Sequence, residues 1–168
     1  MKKIALLVLA LTWGTMAASM RIGHVDSKYL FENYKIAKVK QKEFEKKIGK
    51  WEQEVATLQK DLSALKEKLQ KQSLMLSKEK KKELEAKFLK QKTEYEQMVA
   101  KKFGREGDYM KMNEEMSAPL IKKIKKVIQD VASKEGYDMV LDRASGAVLY
   151  WKSDYDITSQ VLTILNQE

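Results

Sequence analysis

Between Phe44 and Leu69 the apolar positions fall into a single regular stripe. Phe44, Ile48, Trp51, Val55, Leu58, Leu62, Leu65 and Leu69 are spaced alternately by four and three, with Lys, Glu and Gln filling most positions between them. This is the heptad seam of a helix that must lie against another helix, because one thin helix has no interior in which to bury it. The seam breaks at Ser73-Leu74-Met75-Leu76-Ser77, and Ser77 suits the N-cap of a Lys/Glu-rich helix beginning at Lys78. The pattern therefore predicts a long arm that folds back as an antiparallel coiled-coil hairpin rather than running on as one helix. On the return path Leu84, Phe88, Tyr95, Met98 and Val99 are sparser but sufficient to cover much of the seam.

The flanks of the arm read differently. Arg21 to Val25 is a short extended run, and Asp26 or Ser27 caps a helix carrying Tyr29, Leu30 and Phe31. Beyond the arm, Gly104-Arg105-Glu106-Gly107-Asp108 predicts a kink or frayed turn at which the arm could swing; the Lys-Ser/Thr pair of a phosphate-binding loop is missing. Helix resumes through Met110, Met112 and Met116 to Pro119, which fits the first turn of an amphipathic helix bearing Leu120, Ile121, Ile124, Val127, Ile128 and Val131, closed by Gly136. Tyr137 to Asp142 and Ala147 to Lys152 predict two strands joined as a hairpin at Ala144-Ser145-Gly146, before a last helix with Ile157, Val161, Leu162 and Leu165. The expected fold class is α+β: a long antiparallel helical-hairpin arm, residues 35–113, inserted into a small β/helical body made from residues 20–34 and 114–168. Three short strands leave edges to be closed, and pairing them with other copies would close them.

The first residues change the picture of where this happens. Lys2 and Lys3, an apolar run from Ile4 to Leu11, and Ala17-Ala18-Ser19 have the order of a cleavable signal peptide, residues 1–19, and the run is shorter than the roughly 20 residues needed to span a bilayer. An exported product is the consequence. Removing that segment takes away two lysines and no acids, leaving 31 basic against 24 acidic side chains. Such a balance attracts acidic proteins or anionic lipid; export argues against nucleic acid. From Lys35 to Lys102 there are 20 lysines against 11 acidic residues. The chain has no cysteine, which excludes disulfides and thiolate metal sites. His24 is the sole imidazole and sits in an expected strand, while Asp26, Asp138 and Asp142 are explained by caps and turns. No enzyme, metal site or cofactor is expected.

The order of motifs resembles a known family. Ile22-Gly23-His24-Val25-Asp26 with Tyr29-Leu30-Phe31 opens it; Pro119-Leu120, the run from Gly136 to Asp142, Val148-Leu149-Tyr150 and Asp156-Ile157-Thr158 close it. With the arm between, these are similar to the Skp/OmpH-like periplasmic chaperones, over essentially the whole chain after the signal. The chain departs from that pattern at Gly104 to Gly107 and at Gly23-His24, where the family places small or β-branched apolar residues. The resemblance implies a homotrimer with a β-barrel body and three tentacles around a cavity. It also implies ATP-independent capture of unfolded outer-membrane proteins. Trimer and body contacts are then expected at Ile22, Leu120, Ile124, Val127, Met139, Leu141, Val148, Tyr150 and Val161. Contacts to unfolded clients are expected at Leu74, Met75 and Leu76, at Lys80, Lys81 and Lys82, and at Met98, Met110, Met112 and Met116, methionine being adaptable to varied apolar partners. Two other readings use the same features: a structural coiled-coil adaptor with one fixed partner, and an envelope protein that binds anionic lipid or lipopolysaccharide through its lysines.

Overall fold

The structure, a computed structural model, describes residues 19–72 and 75–167. Nearly all of the expected signal peptide and Leu74 of the expected arm tip lie outside the described residues. In chain order the elements are β1 (Ile22–Val25), α1 (Ser27–Asn33), α2 (Lys35–Gln72), α3 (Lys78–Phe103), α4 (Asp108–Glu135), β2 (Met139–Asp142) and α5 (Thr158–Gln167), with single 3-10 turns at Arg143–Ser145 and Ser153–Tyr155. The fold is mostly helical around a small open sheet of two parallel strands.

β1 pairs with β2 in the register Ile22 to Met139 through Val25 to Asp142. Parallel neighbours cannot be joined by a tight turn and need a crossover connection. Here α1, α2, α3 and α4 together are that connection. Outside the sheet, the Arg21 amide donates to the Asp138 carboxylate at 2.7 Å, and the Arg21 guanidinium lies 4.8 Å from the Tyr137 ring. Helices on one side of the strands supply the core: Leu30 from α1, Ile124, Val127 and Val131 from α4, and Val161 and Leu165 from α5, joined by Val25.

Local chemistry sets the helix ends. The Asp26 carboxylate accepts from the Tyr29 amide at 2.8 Å and so starts α1. The chain turns out of α1 at Tyr34, whose backbone is extended. The first amide of α2, on Lys35, then donates to the Asn166 side-chain oxygen of α5 at 2.9 Å. The last helix thus holds the root of the arm. Ser77 caps α3 by accepting from the Lys80 amide, and Gly136 closes α4 in the left-handed conformation.

α2 and α3 pack along each other. Trp51, in the first half of α2, meets Phe103 at the end of α3 edge to face, with ring centroids 6.4 Å apart. Phe44 is buried, and Ile48, Trp51, Val55, Leu58, Leu62, Leu65 and Leu69 form a half-buried stripe; Leu84 on α3 is buried against it.

Three local expectations are corrected. Pro119 does not begin a helix: α4 runs unbroken from Asp108 through it. The missing proline amide leaves the carbonyl one turn earlier without its helical donor. Packing outweighs that loss, because Met112, Met116, Leu120 and Ile124 form a single stripe, four residues apart, across the proline. The hairpin is the second correction. After β2 the Asp142 carboxylate accepts from the Ala144 amide and the Ser145 hydroxyl donates to the Asp142 carbonyl, which coils the chain into a 3-10 turn ended by Gly146. Residues 147–152 form no strand. They end against β1 instead of β2, through a lone parallel bridge between His24 and Asp156.

The third concerns the glycine segment, where of the kink or frayed turn expected the structure has the kink. Gly104 to Gly107 is a tight break between helices, closed by the Gly107 amide donating to the Gly104 carbonyl at 2.9 Å. A Cβ on Gly104 would lie 2.3 Å from the Ala100 carbonyl oxygen, and one on Gly107 would lie 2.9 Å from those of Lys101 and Lys102. Close backbone approach, not flexibility, requires glycine here. Gly104→Ala is therefore expected to destabilise the arm base by about 2 kcal/mol. Gly49→Ala, where nothing lies within 4 Å of the added Cβ, should stabilise α2 by about 0.5 to 1 kcal/mol. Site-resolved amide exchange on the two variants checks both signs.

Candidate functional site

The expected contact residues fall into separate places. At the arm tip Met75 is 87% exposed and Leu76 is half-buried. Lys80, Lys81 and Lys82 come next, on the exposed first turn of α3, and Lys80 pairs with Glu83 at 2.7 Å. That hydrogen bond holds the Glu83 carboxyl below its ordinary range. Met98 is half-buried between the arm helices. Met110 is half exposed, beside Arg105 and Glu106. Met112 and Met116 are brought together, lining a groove of about 400 Å³ between α2 and α4 with Ile36, Phe44, Pro119 and Leu120.

The arm base is built from aromatic rings that the sequence reading did not connect. Tyr109 packs edge to face on Phe44 at 5.3 Å and lies 6.5 Å from Phe103. The Lys102 ammonium sits 4.4 Å from the Trp51 ring centroid and 2.7 Å from the Asp108 carboxylate. The hydrogen bond from Lys102 keeps the Asp108 carboxyl below the usual range. The signal available in the sequence was the placement of Phe103 and Tyr109 on either side of the glycine turn. Nothing in it pointed to Asn166.

On the body, Leu120, Ile124, Val127 and Val161 are buried, whereas Ile22, Met139, Leu141 and Tyr150 are exposed within this chain, and Val148 is half-buried. The cause is geometric. Side chains alternate along a strand, so Val25 and Val140 turn toward the helices while Ile22, Met139 and Leu141 lie on the other face, which a single chain covers only in part. Leu149, in the segment after β2, is 92% exposed. On the helical side, Phe31, Ile121, Ile124, Ile128 and Val140 line a groove of about 660 Å³ edged by Lys28 and Lys125.

Polar groups at the sheet ends serve structure. Asp138 accepts from Arg21 at one end; Asp142, at the other, accepts from the Ser27 hydroxyl at 2.6 Å and the Ser27 amide at 3.1 Å. Asp26 lies near Asp142 through Ser27, but Asp138 does not join them, and no metal-holding group of acids and histidine occurs among the described residues. His24 is buried, with Trp151, Arg143 and Asp156 around it.

The class is defined by the fold: a two-stranded parallel sheet whose crossover connection is a helical arm. The family model for outer membrane protein (OmpH-like) matches residues 21–165, and the chain belongs to this Skp/OmpH-like family of periplasmic, non-catalytic chaperones. It is 32% identical over 123 residues to the Skp-like protein of Pseudomonas aeruginosa, covering 73% of this chain and 70% of that one. A solved structure described as an outer membrane chaperone (OmpH-like) from Caulobacter crescentus superposes with a TM-score of 0.72 over 89% of this chain and 86% of the other. At 15% identity that likeness supports the fold alone.

The Asp142 site generates a pH prediction. Burial alone would raise its carboxyl, but the hydrogen bonds from Ser27 and Ala144 and the Arg143 charge outweigh it, and the pKa is lowered. A lowered folded-state pKa gives stability that is present above the unfolded value, near 3.9, and lost as pH falls through the folded one. Ser27→Ala should therefore cost about 1 to 2 kcal/mol at neutral pH. The gap between variant and parent should close as pH drops below about 4. Urea unfolding across that range measures it.

Proposed function

We propose that this chain is an ATP-independent periplasmic holdase: a homotrimer whose antiparallel coiled-coil arms, residues 35–113, surround unfolded outer-membrane proteins and keep them from aggregating. The carrying observation is how little of the arm is interior. Its two helices span 38 and 26 residues, yet beyond Ala37 only Phe44 and Leu84 are buried among their described residues. So much ordered surface around so little core suits distributed contacts with many sequences rather than one fitted partner. The name of the Pseudomonas relative, a Skp-like protein, supports the same reading. Export by a cleavable segment, residues 1–19, belongs to it.

Within this proposal the body is residues 20–34 and 114–168, and its uncovered apolar face is where copies join. Ile22, Met139, Leu141 and Tyr150 supply the contacts. A second reading, contact with anionic lipid or lipopolysaccharide, is favoured by one feature: Lys122, Lys125 and Lys126 surround the exposed Ile121 on α4. It is accessory to the first.

The assembly is tested by light scattering on the mature protein at micromolar concentration. The parent should have three times the chain mass, and Leu141→Asp should be monomeric; a monomeric parent contradicts the proposal.

Client holding is tested by stopped-flow fluorescence with a labelled unfolded β-barrel protein at two salt concentrations. Exposed charges are screened beyond roughly 8 Å at physiological ionic strength, so the lysines should govern encounter. Replacing Lys80, Lys81 and Lys82 by glutamate should slow capture, most of all at low salt. Apolar contacts persist in salt, and each buried leucine or methionine contributes about 1.5 to 3 kcal/mol at best. Replacing Leu74, Met75 and Leu76 by serine should then speed release about tenfold or more while leaving assembly intact. If both variants match the parent, the contacts lie elsewhere, toward Met98, Met110, Met112 and Met116.

A further inference from the structure

His24 is the chain's one histidine, and only 4% of it is exposed. Its Nε2 lies 2.8 Å from the Lys152 carbonyl. A carbonyl can only accept, so Nε2 carries the proton, and in the neutral ring Nδ1 is a bare acceptor. That Nδ1 is buried without a hydrogen-bond partner. The atom it faces is Oδ1 of Asp156, 3.9 Å away, which is an acceptor as well. Two acceptors facing each other in a buried place is an arrangement that one proton would resolve.

The surrounding charges point the same way. Arg143 is the cation beside this pair, with Nη2 3.1 Å from Asp156 and 3.8 Å from Asp26. Its Nε is also buried and unpartnered. One guanidinium thus serves two carboxylates, leaving a net charge of −1 around the neutral ring. Asp156 also accepts from the Thr158 amide at 2.9 Å, and Asp26 from the Tyr29 amide. From β2 the cross-strand neighbour is the uncharged Leu141, and the Asp142 carboxylate is taken up by Ser27 and Ala144. Lys152 presents its carbonyl, and Asp154 on the same loop is exposed. Trp151 covers the cluster, its ring 5.9 Å from the imidazole and 4.8 Å from the Arg143 guanidinium.

We propose that His24 is a proton-operated latch: protonation at Nδ1 creates a charged hydrogen bond to Asp156 and fastens the segment 147–156 onto β1. That segment already meets β1 at the His24–Asp156 bridge and through the Ile157 amide, which donates to the His24 carbonyl at 3.0 Å. It also carries the exposed Leu149 and Tyr150. Mild acid therefore orders the part of the body that presents these side chains. Asp156 is ready for this role across the range. Burial would raise its carboxyl, but the hydrogen bonds from Thr158 and the Arg143 charge bring it below the usual value, so the carboxylate is in place to accept from a protonated Nδ1. The latch is independent of what the arms hold.

The test is amide exchange of Ile157 and its neighbours in the full mature chain at pH 8 and pH 5.5, corrected for intrinsic exchange, with the ring nitrogens of labelled histidine monitored by NMR. Acidification should raise protection of this segment about tenfold, the scale of a hydrogen bond to a charged group. Asp156→Asn keeps the imidazole and an oxygen for the Thr158 amide, and should abolish the acid response; His24→Val should abolish it too. At pH 8 the spectrum should show the proton on Nε2. An equal acid response in parent and Asp156→Asn, no response in the parent, or a neutral ring protonated on Nδ1 each overturns the latch.

Discussion

Four residues near the start of the chain pair with four near its end, and every other feature hangs on that parallel ladder. Arg21 and Asp138, bonded to one another, are 117 positions apart. Closing a connection of that length is cheaper than it looks, because loop entropy grows only logarithmically: each doubling costs about 0.6 kcal/mol. A long excursion can therefore be accommodated between two strands, provided it folds by its own contacts. The arm has them in the packing of α2 on α3 and in the ring cluster at its base. What the body must do is hold the two ends of the excursion close. It does so with the α4 and α5 side chains packed over Leu30 and Val25, and with the Asn166 bond to the first amide of α2.

Most of the helices were legible because their signals are local. The four-three spacing from Phe44 to Leu69, the Ser77 cap and the Gly136 stop all act within a few residues, and each appears where the pattern put it. Failures came where distant residues decide. Residues 147–152 are rich in strand-forming side chains, but Asp142 coils the chain just before them and His24, from the other end of the sequence, anchors the stretch up to Ile157. Pro119 reads as a first-turn proline, and the continuous stripe of Met112, Met116, Leu120 and Ile124 is what carries the helix through it. At Gly23 the reason for glycine is equally remote, since a Cβ there would come within 3.1 Å of the Tyr137 ring. Of the expected contact residues, the methionines could not be sorted from sequence, because Met112 and Met116 share a groove with the core while Met75 stands alone at the tip.

The arm base shows how rigidity and reach are combined. The glycine break lets α3 pass into α4 within four residues, and Tyr109 then contacts both Phe44 and Phe103. The Lys102 ammonium lies over Trp51 while bound to Asp108, a placement that a cation gains from both a ring face and an anion. α2, α3 and the start of α4 are thus tied at one level.

Chemical differences between the two faces of the sheet decide what remains open. Toward the helices, Val25 and Val140 join the core that α1, α4 and α5 build. On the other face, Ile22, Met139 and Leu141 stand partly uncovered, and the one segment positioned to cover them, 147–156, leaves Leu149 and Tyr150 in solvent. An isolated two-stranded sheet is marginal in water, and a free edge on β2 beside exposed apolar side chains invites pairing. The same residues that make the single chain incomplete are those through which copies would complete it. The arm surface, by contrast, is dominated by exposed lysines and glutamates. Apolar positions left uncovered on the body and charged positions along the arm thus divide the chain into two surfaces of opposite character.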